Sequence, residues 1–402
     1  MLHAWHRLIG MGAAALVLGA AGGSAFAADE KSEIVVGFAD SKSGFMAAFS
    51  GPSGQAARMA IDDLNAKGGL LGKPIRIVEA DAKSDRTESA KAGAEVISAG
   101  ADMVVVDCDF DWGSPAALQA ENAGLISFFL CAEDAKAGPE GIGPFAFTSG
   151  NAAHSQGSAL AEWAHEKKGA RNAYLLLDEV LEYDRSVCAG FRWAWGNLDG
   201  TAIVGEDVFK NDDASIAAQI TRLKAAEPAP DVIMLCSFVP GGASALRQIR
   251  AAGIETPVYG PGAMDGTFWV DAVPGLSDFY VTAIGSVYGD DPDPAVEQFM
   301  QRFADKYGER PVTGYALPGY ALIEMWSRAV ERAGTVESRA VVAELEKMTD
   351  EPTVAGPRSF SSELHIQNKV RYLIVSFTDG KPKAEGYWTT GPVPKDVLLT
   401  NR

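Results

Sequence analysis

Histidine is scarce in this chain: five occur in 402 residues, and beyond His3 and His6 only His154, His165 and His365 remain. A histidine-rich metal site or a histidine-based catalytic triad has little to draw on. Cysteine is rarer still. Cys108, Cys131, Cys188 and Cys236 are too few for a disulfide scaffold at this length, and their spacing is not that of a zinc knuckle. Positive charge is in deficit, with 35 Lys and Arg against 53 Asp and Glu, a net charge of −18. That balance argues against a nucleic-acid binder, which usually presents a basic surface. No strand-linked GxGxxG, Walker loop or GxSxG elbow is present. Gly68 and Gly69 follow a helical segment and read as its C-terminal cap and turn. Low-complexity tracts are missing too, and with 47% hydrophobic residues the chain is neither disordered nor fibrous.

What is present starts with an export signal over residues 1–28. A polar start carries His3, His6 and Arg7, and an apolar run follows from Leu8 to Ala21. Small residues at Ala25 and Ala27 place cleavage after Ala27. The run is short for a membrane anchor, and no cysteine stands near the cleavage site to take a lipid. Nothing later reads as a membrane span. The mature chain is therefore expected to be exported and soluble.

The rest alternates short apolar runs with helical segments. Ile34–Phe38, Ile75–Glu79, Met103–Val106 and Leu125–Phe129 read as strands, separated by helices at Gln55–Lys67, Thr87–Ala99 and one starting near Ser114 with Pro115 in its first turn. The style repeats from Ser155 onward, with strands at Ala173–Leu177, Val232–Cys236 and Phe279–Ile284 and a helix at Arg185–Asn197. Continuous apolar strands belong to a parallel sheet covered on both faces. The fold class is α/β, and the length favours two domains. That alternation is shared by dehydrogenases and binding proteins, so function has to come from the site.

One stretch reads Ala60-Ile61-Asp62-Asp63-Leu64-Asn65-Ala66-Lys67-Gly68-Gly69-Leu70-Leu71-Gly72-Lys73-Pro74-Ile75. Asp81, Asp85 and Ala90 follow it, then DEVLEYDRS (178–186), ITRLK (220–224), Ala251 to Ile254 with Val258 to Gly260, Phe303 to Gly308, and GPRSF (356–360). In order and over nearly all of the mature chain, these segments resemble the periplasmic solute-binding proteins of ABC importers, in the Leu/Ile/Val-binding branch. The resemblance implies a type I periplasmic binding protein with two Rossmann-like lobes joined by three crossovers. Residues 29–148 with 285–355 would form lobe one, and residues 149–284 with 356–402 lobe two. The ligand would sit in the cleft between them, and lobe closure would signal to an inner-membrane permease. Location in the periplasm, a monomeric state, no enzymatic activity and no cofactor or metal follow from the same resemblance.

Ligands in open α/β sheets sit beyond the carboxyl ends of the strands, and that rule selects the candidate residues. After the Met103 strand come Asp107, Asp109, Asp111, Trp112 and Ser114; in amino-acid-binding relatives this loop holds the ligand carboxylate through small hydroxyl residues and amides. Alternate spacing would place the three acids on one side of an extended backbone. Asp109 and Asp111 are the favoured pair, and Ser114 is expected at the helix cap. Relatives commonly carry Ser-Pro-Ser-Ala-Thr where this chain has Ser127 to Glu133, so Phe129 and Cys131 are expected to replace polar contacts with an apolar wall. Tyr183 matches the family tyrosine that faces the cleft from lobe two. Phe238, Asp265 and the rim residue Phe45 complete the set. Relatives often place an acid near Gly262 or Ala263 to pair with a ligand ammonium; here Asp265 is the nearest. Cys108 with Cys131, and Cys188 with Cys236, are candidate pairs whose geometry strand-end proximity does not establish.

The leading function is capture of a small organic solute for an ABC permease, with a pocket changed from the amino-acid pattern. The ligand would be cationic, aromatic or polyhydroxylated, and quaternary amines fit a mixture of aromatics and acids. Two other classes stand beside it. One is a ligand-sensing module for a membrane receptor; the other is capture of a metal ion or complex through Asp107, Asp109 and Asp111.

Overall fold

The structure is a computed structural model that describes residues 31–399. The export signal expected over residues 1–28 lies outside the described residues. The chain first builds β1 (Ile34–Asp40), α1 (Ala47–Ala66), β2 (Ile75–Asp81), α2 (Arg86–Ser98), β3 (Met103–Val106), α3 (Phe110–Asn122), β4 (Ile126–Phe129) and β5 (Ala146–Thr148). These strands form one parallel sheet in the order β2-β1-β3-β4-β5. Strand side chains alternate between faces. Val36, Phe38, Met103, Val105 and Phe128 therefore join the core shared with α1, while Ala39, Val104, Val106 and Phe129 face α2 and α3. Both layers are covered, which explains the continuous apolar strands.

A second run adds α4 (Ala153–Lys168), β6 (Asn172–Asp178), α5 (Glu182–Gly196), β7 (Ala202–Phe209), α6 (Ala217–Lys224), β8 (Val232–Cys236), α7 (Gly241–Ala251), β9 (Val258–Gly260) and β10 (Phe279–Ala283). Then α8 (Pro294–Tyr307), α9 (Ala316–Ala333) and α10 (Ser338–Leu345) return to the first sheet. Arg302 and Lys306 of α8 pair with Asp63 and Asp62 of α1, each at 2.5 Å, and α9 packs along α1. Finally β11 (Arg371–Thr378), β12 (Lys381–Thr389) and α11 (Lys395–Leu398) complete the second layer system. The second sheet runs β12-β11-β10-β9-β8-β6-β7 and turns antiparallel at β11 and β12. The chain thus passes between the two sheets three times: after β5, after β10 and before β11.

Two glycines set the distance between α4 and α5. A Cβ on Gly157 would collide with the backbone of Val187, and one on Gly190 with the backbone of His154. Without those Cβ atoms the helices pack backbone to backbone, which carries Gln156 of α4 toward Tyr183 of α5. Two disulfides brace neighbouring elements. Cys108–Cys131 joins the loops after β3 and β4, and Cys188–Cys236 joins α5 to the end of β8, with Cα separations of 4.4 and 5.7 Å.

The helix expected near Ser114 begins four residues earlier, at Phe110. Asp109 is its cap: the backbone is extended there, and the carboxylate accepts from Trp112 N at 3.3 Å. Ser114 is consequently an interior helical residue. Among the described residues, no helix is long and apolar enough to cross a membrane.

Candidate functional site

The carboxyl ends of strands from both sheets converge on one cavity. Its walls are Met46, Phe49, Cys108, Asp109, Glu133, Leu181, Tyr183, Phe238, Ala263 and Tyr315, around roughly 360 Å³ of unfilled space that includes some open solvent. Residues after β3 and β4 and the starts of α1 and α9 supply one side; the start of α5 and the loops after β8 and β9 supply the other. Four aromatic rings and two carboxylates share this space. Among the described residues lining it, none is Lys, Arg or His.

Glu133 is the polar centre. Its Oε2 accepts from Tyr315 Oη at 2.7 Å and from Gln156 Nε2 at 2.6 Å, while Oε1 is buried without a hydrogen-bond partner. Burial pushes its carboxyl up to about 8, against the opposing pull of those two donors and of the Arg358 charge. Gln156 ties the two sides together. Its Oε1 accepts from Gly262 N at 2.6 Å, Thr282 Oγ1 at 2.9 Å and Tyr183 Oη at 3.1 Å. Tyr183 Oη in turn accepts from Ala263 N at 3.2 Å, so its ring is held by both ends of a fixed network.

Asp109 also faces the cavity. Burial, followed by the nearby Asp111 charge, raises its carboxyl well above the usual range. Behind it, Asp184 on α5 is fully buried with both oxygens unpartnered. Burial and then the charges of Asp178, Asp109 and Asp111 raise it strongly. The floor of the cleft is therefore strongly negative whenever these groups ionise.

The two sides touch directly across the cleft. Asp111 Oδ2 accepts from Glu182 N at 3.0 Å, Lys136 Nζ meets Glu182 Oε2 at 2.6 Å, and Ser186 Oγ donates to Asp134 Oδ2 at 2.5 Å. At the rim, Phe45 packs edge-on to Trp112 with centroids 5.4 Å apart and lies 6.2 Å from Phe238.

The structure brings Tyr183, Asp109 and Phe238 to the cavity and Phe45, Trp112 and Asp111 to its rim. Other expected residues sit elsewhere. Phe129 does not line the cleft: it follows Phe128 in β4, so it points to the opposite face, where its ring stacks on Phe110 at 6.5 Å and packs against Gly113. Ser114 lies beyond the first turn of α3 and away from the cavity wall. Cys131 is buried in its disulfide, and its partner Cys108 takes the wall position. Asp265 lines a small polar recess behind the cavity, where it accepts from Tyr288 Oη at 2.7 Å and Gly314 N at 2.9 Å; burial pushes it to about 6. Asp107, Asp109 and Asp111 do not share one side. Asp107 turns inward to Ser41 N and Oγ and to Ser50 Oγ at 2.7–2.8 Å, and Asp111 turns out to Arg86 and Glu182. Among the described residues, no group of three His, Cys, Asp or Glu side chains is arranged to hold a metal.

Sequence reasoning missed Gln156, Tyr315 and Leu181; it placed Met46 and Phe49 only at the rim, and it passed through Glu133 and Ala263 in cleft-facing segments without choosing them. Glu133 carried a usable signal, since it ends the segment after β4. Gln156 and Tyr315 carried none, because they reach the site through helix packing.

Two α/β lobes crossed three times by the chain, with a walled cavity between facing strand ends, define the fold of a two-lobe binding protein. A family profile described as "Periplasmic binding protein" matches residues 33–381. The chain belongs to that family of periplasmic binding proteins, and its fold is that of the type I members. It is 24% identical over 337 residues to a Leu/Ile/Val-binding protein of Rhizobium johnstonii, covering 83% of this chain and 88% of the relative. It is 26% identical over 329 residues to the leucine-specific-binding protein of Salmonella typhimurium, covering 79% and 86%. Among solved structures, the branched-chain amino acid substrate-binding protein of Streptococcus pneumoniae in complex with isoleucine superposes with a TM-score of 0.76 at 23% identity, over 90% of this chain and all of that one. An ABC-transporter solute-binding protein of Rhodopseudomonas palustris in complex with 3,4-dihydroxybenzoic acid gives 0.72 at 20% identity, over 91% and 99%.

Proposed function

We propose that this protein captures a small organic cation, a protonated or quaternary amine, and delivers it as a monomer to its permease. The lobes that close on it are residues 29–148 with 285–355 and residues 149–284 with 356–402. The observation that carries this reading is the pairing of Asp109 and Glu133 with Phe49, Tyr183, Phe238 and Tyr315 around a cavity with no cationic wall residue. A buried carboxylate without a counter-charge is costly: burial raises Asp109 well above the usual carboxylate range and Glu133 to about 8, so Glu133 holds a proton in the empty cavity at neutral pH. A cationic ligand replaces that proton and stacks its charge on ring faces. The ligand carboxylate of a free amino acid has the opposite charge from what the cavity favours. The isoleucine and the dihydroxybenzoic acid in the two solved complexes belong to those proteins, whose folds accommodate unlike chemistries.

The test is calorimetric titration with tetramethylammonium, its neutral isostere 2,2-dimethylpropane, and isoleucine. Tetramethylammonium should bind at least about tenfold more tightly than the neutral isostere. Preference for isoleucine, or equal affinity for cation and isostere, would overturn the assignment.

A further inference from the structure

A second space adjoins the cavity and differs from it in chemistry. It is an open groove lined by Phe45, Phe49, Val239, Phe268, Trp269 and Ala272, among others. No acidic side chain lines it, and its single charged wall residue is the exposed Arg247. Phe45 and Phe268 stand 40% and 45% exposed, two large apolar side chains left facing water in one place.

Its position limits what it holds. Phe49 borders both groove and cavity, and the consecutive residues Phe238 and Val239 line the cavity and the groove respectively. One wall comes from the start of α1 and the other from the loop after β8 and from α7, so the groove spans the same two layers as the cavity. We propose that the groove is a second subsite of the ligand: it takes the apolar tail of an elongated amine whose cationic head occupies the cavity. This rests on the cation reading above. The division of charge follows from the walls, with acids around the head and hydrocarbon along the tail. Because both lobes line it, a tail held there contacts both, and chain length feeds directly into closure.

The experiment titrates wild type with tetramethylammonium and then with ethyl-, butyl- and hexyltrimethylammonium, and repeats the series with Phe268→Ser and Ala272→Trp. Both positions are exposed, so the fold tolerates the changes, and neither lines the cavity. In wild type, affinity should rise about two- to fourfold per added methylene. Both variants should lose most of that rise while binding tetramethylammonium as wild type does. A flat series in wild type, or an equal rise in the variants, would overturn the tail subsite. A parallel series of 1-alkanols separates the two readings. If tetramethylammonium fails to bind while alkanol affinity climbs with length and falls in the variants, the groove stands and the cation assignment does not.

Discussion

The carboxylate of Asp111, in the first turn of α3, accepts a hydrogen bond from the backbone N–H of Glu182, the first residue of α5, across the cleft. Leu181, the cap residue of α5, offers no side-chain acceptor, so the helix takes its cap from the opposite lobe. Asp109, two residues earlier, caps its own helix. Neighbouring acids with the same chemistry thus divide the work: one builds a lobe, and the other joins the two.

Removing that inter-lobe cap should favour the open form. A side-chain cap contributes about 0.5–2 kcal/mol, and Asp111 keeps a second partner in Arg86. Asp111→Ala is expected to leave each lobe folded and to weaken ligand affinity by about three- to tenfold. Small-angle scattering with and without ligand checks it; an unchanged radius and affinity would remove Asp111 from closure.

Cation binding should depend on pH through Glu133. With its carboxyl near 8 in the empty cavity, a permanent cation entering at pH 6 must expel a proton. Affinity for tetramethylammonium should therefore climb by up to about tenfold per pH unit toward 8 and then level. The groups facing Glu133 are Tyr315, Gln156, Arg358, Tyr183 and Tyr372, and the tyrosines are raised further above neutrality; Asp109, the other acid of the cavity, is also raised by burial, so Asp109→Asn is the control that isolates the Glu133 proton. Titration in buffers of different ionisation enthalpy should detect the released proton, and Glu133→Gln should flatten the profile.

Stability of the unliganded protein should move the other way. Asp107 and Asp265 rise to about 6 and Glu133 to about 8, so the native state binds protons that the unfolded chain has already lost. Stability from these groups is complete below about pH 4 and drains away as pH climbs to 8. Depressed acids such as Glu79 and Asp293 act oppositely, but their contribution is already complete above about 4.5. Buried His154, lowered to about 4, and His365, also lowered, oppose this up to about pH 7, so melting temperature should fall between about pH 7 and 8 in wild type, and that fall should largely vanish in Glu133→Gln.

The order of strands and helices was legible because each strand is a short unbroken apolar run and each turn has its own residue chemistry. The site was legible only where the chain itself reaches the cleft, as at Tyr183, Asp109 and Phe238. Phe129 went wrong by a single residue of strand register, since Phe128 and Phe129 point to opposite layers and both layers are covered. Ser114 went wrong because Asp109 outcompeted it for the helix cap. Gln156 and Tyr315 lie on helices whose direction depends on packing between segments far apart in sequence, which local pattern does not encode.

Tyr183 offers two functions, a ring and a hydroxyl, and substitutions separate them. Tyr183→Phe keeps the cavity wall but leaves Ala263 N without its acceptor, at a cost of about 1–3 kcal/mol. Tyr183→Ala removes the wall as well. If the ring binds the cation, Phe should retain most of the affinity for tetramethylammonium and Ala should lose about tenfold or more, with both proteins folded by circular dichroism. Equal losses would assign the role to the hydroxyl.

The contact between α4 and α5 makes a last expectation that links packing to binding. Alanine usually improves a helix over glycine by up to about 1 kcal/mol. At Gly190 that gain is outweighed, because the new methyl meets the backbone of His154, which has no rotamer to yield. Overpacking of this kind costs about 1–3 kcal/mol, and relief requires α4 to move away from α5, carrying Gln156 from Tyr183. Gly190→Ala should therefore lower both the melting temperature and the affinity. Gly196→Ala is the matched control on the same helix: nothing lies within 4 Å of its new methyl. It should raise the melting temperature slightly and leave binding alone. If both variants behave alike, the close approach of the two helices has no part in placing the Gln156–Tyr183 pair.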